Sequence, residues 1–427
     1  MIQHALHNRN GGINFFNLSL PAIITLGIIL RVVWALMVPV VPLSDSHAYD
    51  TFALNIWQHG VYGWTADSPT SYWPVGTSAL YALVYQVFGH SYSYIVALNI
   101  LMSFGIILYT HKVASLFFSD SVARFCALLI AIWPTSIFFV TVLASELPYT
   151  LLTLAGAYHF LAEDRFKLRN ILIVGISFAL AYYIRSLATT VLAICAFCGV
   201  VVCGKPLLPT VCRTLVVGLM MAVAVLPWAK RNYDLYGHFV PMSTNGGAVF
   251  WMGNTPGTSG GYHQLPDYVE GLDEHQRNQL LKAEAMEYIK SEPGTFLVRT
   301  FVKFLKFHSH ETIGVTWNEE GIKERFGESW LMPFKLLSQG FWMVFLLGGV
   351  VGAVIFVKEK PLPRLLHPLL LLWLSSAGLH ALIVAQDRYH LPIVPFVVVF
   401  CAYAVHRFAE RRRGMHSEES SAVEVKL

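Results

Sequence analysis

Two aspartates in one short polar loop are the first candidates for acid–base chemistry. Asp45 and Asp50 lie in the stretch PLSDSHAYDTFALNIWQHGVYG, residues 42–63, directly after the first long apolar run. Five residues turn an α-helix by roughly 500°, so the two carboxylates point about 140° apart and do not form one paired site. One of them could accept a proton from a reacting hydroxyl group while the other only solvates the loop. A solvated turn at the membrane surface is the plain alternative for either residue.

A third carboxylate, Glu146, stands between two apolar runs in the stretch LASELPYTLL. A charged group so close to hydrocarbon is costly, so a functional role is a reasonable expectation. In the alternative reading, Ser145 caps the helix that follows and Glu146 only benefits from the nearby helix N-terminus. Ser44 is likewise expected to cap a helix that begins at Asp45.

Four arginines are expected in or near the outer half of a membrane. A buried guanidinium group needs an anionic partner, which could be a carboxylate of the chain or the phosphate of a ligand. Their common position on the outer side opposes the usual placement of positive charge, which favours a phosphate ligand for the set. The four residues are Arg31, Arg185, Arg231 and Arg388.

The elements that must position these residues are membrane spans. Of the 427 residues, 55% are hydrophobic and only 13% are charged, against about 25% in a soluble domain. The formal net charge of +4 does not indicate nucleic-acid binding, because the chain shows neither a basic patch interleaved with aromatic residues nor a glycine-rich phosphate loop. The six cysteines lie in or beside apolar runs, so we expect small buried side chains rather than disulfides or a zinc site.

The apolar pattern predicts an all-α polytopic membrane protein, a bundle of about 10–12 transmembrane helices with external juxtamembrane helices. Lysines and arginines cluster in alternate loops and in the tail, and alternating the spans places all these clusters in the cytoplasm. Residues 41–91 and 229–335 then lie outside, which explains why residues 41–90 contain neither lysine nor arginine. The predicted spans are 18–40, 92–111, 123–141, 146–162, 170–186, 187–203, 208–228, 336–357, 365–385 and 390–407.

This arrangement divides the chain into five parts. They are a cytoplasmic N-terminus (1–17), a transmembrane module with a catalytic external loop at 41–91 (18–228), an external segment (229–335), C-terminal transmembrane helices (336–408) and a disordered cytoplasmic tail (409–427). Three local features are further expected: residues 76–88 form an interfacial helix or join the next span, 295–308 form an amphipathic surface helix, and 244–262 form a turn-rich loop.

Several stretches resemble the GT-C superfamily of membrane glycosyltransferases, in particular the branch called glycosyltransferase family 39, which is similar to dolichyl-phosphate-mannose-protein mannosyltransferases. In SDSHAYDTFALNIWQHGVYG, Asp45, Tyr49, Ala53 and Gly60 match the opening external loop of that branch. Ser46 stands where the branch commonly has glutamate.

The resemblance continues along most of residues 18–408. SELPYTLLTLAGAY is similar to the next external turn, with its acidic residue at Glu146. The most specific match is LPWAKRNYDLYGHFVPMSTNGGAVFWMGNTPGTSGGY, which has the Pro-Trp, Arg-Asn, Ser-Thr-Asn-Gly-Gly and Gly-Asn groups in the order of bacterial members. WPVGTSALYALVYQVFG, AEAMEYIKSEPGTFLVRTFVKFLKF and DRYHLPIVPF also match.

The resemblance implies transfer of a sugar from a polyprenyl-phosphate carrier to a hydroxyl group of a lipid, protein or glycan on the external face, usually with inversion. It makes Asp45 the general base and Glu146 a second catalytic residue. A divalent metal stays an open alternative, because no cluster with metal-ligand spacing is visible. The implied location is the cell membrane, or the inner membrane of a cell that has two. The implied substrate-binding residues are Arg31, Tyr49, Asp50, Arg185, Arg231, Asn245, Arg388 and Tyr389.

Two other functions would use similar residues. A transporter or flippase of lipid-linked saccharides also needs outer arginines, but it more often carries charges along a path through the bilayer midplane, and few ionisable residues lie at mid-span here. A polysaccharide polymerase would use residues 229–335 as its large external loop. The match at Asp45 argues against the polymerase, and a non-enzymatic scaffold fits least well.

Overall fold

The fold is known from a computed structural model, in which residues 18–163, 167–359 and 364–424 are described. The predictions for residues 1–17 and 425–427 lie outside that range. The described chain is almost entirely helical, with one short hairpin of strands β1 (Gly63–Thr65) and β2 (Ser68–Pro69). The prediction of an all-α polytopic membrane protein is confirmed.

The helices of the described residues are joined by connections of very different length, the longest being residues 255–273. In chain order they are α1 (Leu20–Met37), α2 (Asp45–His59), α3 (Gly76–Phe88), α4 (Tyr92–Ser115), α5 (Asp120–Ile132), α6 (Pro134–Phe138), α7 (Glu146–Ala162), α8 (Leu168–Ile184), α9 (Ala188–Val201), α10 (Leu207–Tyr236), α11 (Gly246–Asn254), α12 (Glu274–Ser291), α13 (Pro293–Phe307), α14 (Ile313–Thr316), α15 (Glu319–Phe326), α16 (Leu331–Glu359), α17 (Pro368–Leu382) and α18 (Val394–Glu424).

Each predicted span coincides with a helix, or with the bent pair α5–α6 at residues 123–141. By length and composition, five described helices can cross a membrane, namely α1, α4, α10, α16 and α18, or six when the bent pair counts as one. Helices α8, α9 and α17 are apolar but have only 17, 14 and 15 residues. A straight crossing of ~30 Å of hydrocarbon needs about 20 residues. The count of ten full-length spans is therefore not confirmed.

A proline breaks the third predicted span. Pro134 has no N–H group to donate to the carbonyl of Ile130, and the helix axis turns by 55° between α5 and α6. The chain from Trp133 to Ser145 then runs through short turns whose side chains are nearly all buried. Buried peptide groups that lack helical partners must be satisfied by side chains, since no water reaches them.

Arg31 donates hydrogen bonds to carbonyl oxygens that lose a backbone donor at the break before Pro134. Its guanidinium group donates to the carbonyl oxygens of Ile130 at 3.2 Å and Ala131 at 2.8 Å, and to Ser136 Oγ at 2.7 Å. A further bond of 2.9 Å runs to the carbonyl of Gly27 within α1. The expectation that Arg31 binds an anion or a phosphate is corrected: its partners are neutral oxygens, because the break in α5 leaves carbonyl groups that need a donor.

Polar side chains from other elements also form hydrogen bonds with peptide groups of residues 133–145, the segment that follows the break. Asn99 of α4 donates to the carbonyls of Val140 and Val142 at 3.0 and 3.1 Å. The Tyr81 hydroxyl of α3 accepts from the Ala144 N–H at 3.0 Å. The broken segment, defined as residues 133–145, is thus tied to α1, α3 and α4.

Residues 41–91, the predicted first external loop, fold into α2, the hairpin and α3. Helix α2 ends at Gly60, whose φ of 69° is the left-handed conformation that commonly closes a helix. Phe52 of α2 packs edge-on against Tyr62 and Trp64, with ring centroids 4.9 and 4.7 Å apart. Residues 76–88 form the separate helix α3, because Gly89 adopts a φ of 81° and interrupts the path to α4.

The second external segment is more helical than its sequence indicates. The predicted turn-rich loop at 244–262 contains the helix α11, whose glycines allow close packing: a Cβ on Gly253 would lie 1.9 Å from the carbonyl oxygen of Ile383. The amphipathic helix expected at 295–308 is present as α13. The last helix, α18, extends to Glu424, so the prediction of disorder from residue 409 is wrong up to that point; these residues contain no proline and many good helix formers.

The two external segments lie together. Arg231 of α10 donates to the carbonyl of Thr70 at 2.7 Å, and Glu274 of α12 accepts from the Ser71 N–H at 2.8 Å. Residues 41–91 and 229–335 therefore share one side of the bundle, and their placement outside the cell stays a prediction from the charge pattern.

Cysteine labelling tests that placement. In a cysteine-free background, Ser68→Cys and Ser259→Cys should react with an impermeant thiol reagent in intact cells whose outer barrier is permeabilised, because both sites are exposed on the predicted external side. Ser119→Cys, which is exposed between α4 and α5, is the matched cytoplasmic control and should react only after lysis. Labelling of residue 119 alone in intact cells would invert the topology.

Replacing Arg31 tests its role in the broken segment. Arg31→Met should lower the stability of the purified protein by about 1–3 kcal/mol for each buried acceptor left without a donor. Arg325→Met, at an exposed position on α15, should change stability by no more than about 0.5 kcal/mol. Chemical unfolding in detergent measures both, and equal stability of the two variants would show that the Ile130 and Ala131 carbonyls do not depend on Arg31.

Candidate functional site

Two cavities meet at the N-terminal end of α2. Cavity A has a volume of about 450 Å³ and lies between α2, the α8–α9 turn, α11 and α17. Cavity B, of about 480 Å³, lies between the start of α2, the end of α13 and the segment before α18. The wall between the cavities is formed by residues that line both: Asp45, Tyr262, Gln386 and Arg388.

An ion pair stands in this shared wall. Asp45 Oδ2 lies 2.7 Å from Arg388 Nη1, and the two side chains are only 19% and 12% exposed, so salt screens the pair less than at a free surface. Arg388 Nε donates to Gln386 Oε1 at 3.1 Å, and the guanidinium carbon lies 4.9 Å from the ring centroid of Trp317. The wall holds one carboxylate that can accept a proton and one guanidinium group that can bind a phosphate.

The backbone before Asp45 is strained. Ser44 adopts φ 54° and ψ −126°, a region that residues with a side chain rarely occupy. Ser44 occupies the predicted N-cap position of α2, but its side chain makes no capping hydrogen bond. The turn instead makes Asp45 the first residue of α2, where the helix dipole favours its negative charge. Strain of this kind is commonly retained at functional sites.

A second arginine borders cavity A. Arg185 ends α8 and donates through Nε and Nη2 to Ser145 Oγ, at 3.1 and 2.8 Å. Its Nη2 also pairs with the carboxylate of Glu146, which is 1% exposed and does not line the cavity. The structure therefore places Glu146 behind Arg185 rather than at a reacting atom. Ser145 does not cap α7, because its hydroxyl is engaged by the guanidinium group.

A buried histidine–carboxylate pair fixes the chain beside Arg388. His390 Nε2 lies 3.0 Å from Glu311 Oε2, and Nδ1 lies 3.1 Å from the carbonyl oxygen of Phe307. Both ring nitrogens face acceptors, so a proton must be shared between His390 and Glu311. The other carboxylate oxygen accepts from Trp133 Nε1 and Thr135 Oγ1, each at 2.6 Å. The segment that carries Arg388 is thereby bound to the broken segment.

Comparison with known proteins finds similarity among solved structures, and this similarity is one of fold. No family model and no curated protein matches the chain. ArnT from Cupriavidus metallidurans bound to undecaprenyl phosphate aligns with 94% of this chain and 62% of its own, at 10% identity and a TM-score of 0.57. The oligosaccharyltransferase of Archaeoglobus fulgidus in complex with zinc and sulfate aligns with 95% of this chain and 51% of its own, at 14% identity and a TM-score of 0.55.

The chain has the GT-C fold. The predicted fold is confirmed, and the assignment to family 39 stays a prediction. The same archaeal enzyme tethered to an acceptor peptide with the NVT sequon matches with a TM-score of 0.52, at 13% identity over 92% of this chain and 50% of its own. The chain thus spans about half to three fifths of the length of these structures, from 50% to 62%.

Within the GT-C fold, six of the predicted site residues line cavity A. They are Asp45, Tyr49, Arg185, Asn245, Arg388 and Tyr389. The Tyr389 ring borders both arginines, with its centroid 5.7 Å from the Arg185 guanidinium carbon and 5.4 Å from that of Arg388. Burial, together with the charge of Asp45, raises the pKa of Tyr49 above its usual range, so its phenol stays protonated at neutral pH.

Asp50 lies away from both cavities. Its carboxylate accepts from the Tyr85 hydroxyl at 2.6 Å and the Tyr92 hydroxyl at 2.8 Å, and His90 Nε2 lies 3.5 Å away. These contacts join α2 to α3 and to the start of α4. The structure therefore separates Asp50 from Asp45, as the helical spacing predicts, and gives its carboxylate partners within the chain.

Arg231 also lies outside the cavities. Besides the Thr70 carbonyl, it donates to the carbonyl of Tyr62 at 3.1 Å and to Ser71 Oγ at 2.7 Å, and it stacks on Trp228 with its guanidinium carbon 4.6 Å from the ring centroid. These bonds secure the hairpin loop to α10. The sequence predicts that Arg231 binds the carrier phosphate, but in the structure its guanidinium group is bound by carbonyl and hydroxyl groups of the chain.

Several cavity residues are not among the predicted site residues, and Tyr262, Gln386 and Lys306 are three examples. Tyr262 ends the Gly-Gly-Tyr group of the most specific matching stretch, and Gln386 directly precedes DRYHLPIVPF, so both lie at the edges of recognised motifs. Among residues 18–163, 167–359 and 364–424, no group of three or more His, Cys, Asp or Glu side chains could hold a metal ion.

Proposed function

We propose that the protein is a membrane glycosyltransferase that moves a sugar from a polyprenyl-phosphate carrier to an acceptor hydroxyl on the external face of the cell membrane. The observation that carries the proposal is the position of Asp45 and Arg388 in the wall shared by two cavities. A reaction between two substrates needs a base and an anion-binding group at the one point that both substrates reach.

Cavity A suits the donor. Arg388 and Arg185 border it from either side of Tyr389, and a guanidinium group can bind two phosphate oxygens at once. An apolar groove between α7, α9, α17 and α18 adjoins the cavity and is lined by residues such as Val191, Leu372 and Phe396. Its volume is only about 30 Å³, so it offers apolar contact to the start of a carrier chain rather than room for the whole chain. The undecaprenyl phosphate bound to ArnT, which shares the fold, supports this choice of carrier.

Cavity B suits the acceptor. An acceptor hydroxyl in cavity B reaches Asp45, which takes its proton as the oxygen attacks the anomeric carbon of the sugar. The bond from that carbon to the phosphate oxygen breaks, and the polyprenyl phosphate leaves with the electron pair. Arg388 and Arg185 stabilise the charge that grows on the phosphate. Attack from one cavity on a carbon whose phosphate lies in the other displaces the carrier in line, which inverts the anomeric configuration.

The resting ion pair fits this sequence of events. Asp45 is held by Arg388 until a phosphate enters and competes for the guanidinium group. A carboxylate released in this way is a stronger base than one that remains paired. A flippase would need no base at this point, so loss of turnover on removal of the Asp45 charge separates a transferase from a transporter.

Asp45→Asn should reduce sugar transfer by roughly 10²- to 10⁴-fold, because it keeps the size of the side chain and removes its basicity. Transfer is measured with purified protein and a panel of polyprenyl-phosphate sugars, after mass spectrometry of glycans and glycolipids from cells with and without the protein has identified the product. Asp50→Asn is the matched control and should lose much less, since its partners are Tyr85 and Tyr92. Normal turnover by Asp45→Asn would show that Asp45 is not the general base.

Arg388→Ala should weaken binding of undecaprenyl phosphate by roughly 10- to 100-fold, the range expected for losing a hydrogen bond to a charged group. Arg388→Lys should restore binding only in part, because an ammonium group cannot bind two oxygens in the fork geometry. Arg231→Ala serves as the control, since its guanidinium group is bound to loop carbonyls. Binding of radiolabelled lipid in detergent measures all three, and weakening in Arg231→Ala alone would reverse the assignment.

A further inference from the structure

Cavity B contains a cation that the proposed chemistry does not use. Lys306, near the end of α13, lines this cavity, and its Nζ donates to Ser259 Oγ at 3.2 Å. Gly261 leaves room for it, because a Cβ at that position would lie 2.8 Å from Nζ. Among the described residues no carboxylate lies within ion-pair distance of Lys306, so its charge is available to an anionic ligand.

The same cavity offers acceptors for hydroxyl groups. Asp387 lines it next to Asp45, and the one side-chain contact of the Asp387 carboxylate within the described chain is with the Thr312 hydroxyl, at a long 3.4 Å. A ligand that fits must therefore place an anion at Lys306 and donate hydroxyl hydrogens toward the two carboxylates. A phosphate diester next to free hydroxyl groups has this chemistry.

Helix α13 supplies an apolar path that ends at Lys306. Val298 and Val302 precede Lys306 by eight and four residues and therefore lie on the same helix face. The neighbouring row consists of Leu297, Phe301 and Leu305. These five apolar side chains are between 48% and 67% exposed. A helix that turns such a face outward, while Arg299 and Lys303 bind the protein, lies in the membrane surface.

We propose that cavity B receives the head group of an anionic lipid that carries free hydroxyl groups, and that the hydrocarbon of this lipid lies along α13. The phosphate lies at Lys306 and a hydroxyl group points to Asp45. The role of this lipid as the acceptor rests on the proposed function, whereas its binding in cavity B does not. A water-soluble peptide or glycan would gain nothing from the apolar rows that lead to the cavity.

The probe is phosphatidylglycerol with a photoreactive diazirine in its acyl chain, added to the full-length protein in phosphatidylcholine nanodiscs. The expected result is cross-linking to the peptide that contains residues 293–307. Lys306→Met should reduce the yield about fivefold, since it keeps the length of the side chain and removes the attraction to an anionic lipid. Val302→Glu should reduce it as well. Lys290→Met, at an exposed position on α12, is the matched control and should cross-link as the wild type does.

Competition defines the ligand class. Unlabelled phosphatidylglycerol should suppress the cross-link, whereas phosphatidic acid, which lacks the hydroxyl groups, and glycerol phosphate, which lacks the chains, should do so weakly. Equal competition by phosphatidic acid would overturn the role of the hydroxyl groups, and equal competition by glycerol phosphate would overturn the lipid. Unchanged cross-linking in Lys306→Met would overturn the site. If undecaprenyl phosphate fails to bind the wild type while this pattern holds, the proposed function fails and the lipid site stands.

Discussion

The fold depends on a buried stretch of backbone in which the helix α5 breaks and only short helical turns follow. Pro134 ends α5 inside the bundle, and residues 133–145 run through turns where water cannot supply hydrogen bonds. Every buried peptide group there costs free energy unless a side chain pairs with it. Arg31, Tyr81 and Asn99 provide such pairs from three different helices. These polar contacts tie α1, α3 and α4 to the broken segment in addition to their apolar packing.

The two ends of the broken segment hold the two arginines of the cavities. At its start, Trp133 and Thr135 bind Glu311, which pairs with His390 and so fixes the chain two residues after Arg388. At its end, Ser145 binds Arg185 directly, with the carboxylate of Glu146 behind it. The broken segment therefore holds, through these contacts, the guanidinium groups of Arg185 and Arg388, which both border the Tyr389 ring. Catalysis by fixed charges requires such support, because a group that must reorganise during the reaction stabilises the transition state less.

The sequence predicts the type and place of nearly all long helices, because apolar length and loop charge are local properties. It also separates Asp45 from Asp50 correctly, since their angular offset follows from helix geometry alone. It does not predict the roles of Arg31 and Arg231. The partners of Arg31 lie about a hundred positions away and need hydrogen bonds only because α5 breaks. The partners of Arg231 are carbonyls of a loop that approaches α10 only in the folded chain. Tyr262, Gln386 and Lys306 carry no distinguishing pattern in the sequence, and only the folded chain shows that they line a cavity.

Charge placement distinguishes the two cavities. Cavity A has two arginines and a small adjoining apolar pocket, which support the proposal of a lipid phosphate there. Cavity B has a lysine, two aspartates and the apolar rows of α13 beside it, which match a hydroxylated head group at a membrane surface. Both cavities therefore adjoin apolar surface, and both substrates can reach the wall without leaving the lipid. Under the proposed function, the Asp45–Arg388 pair holds the base until a phosphate competes for the guanidinium group, so the base is released when a sugar is present to receive the attack.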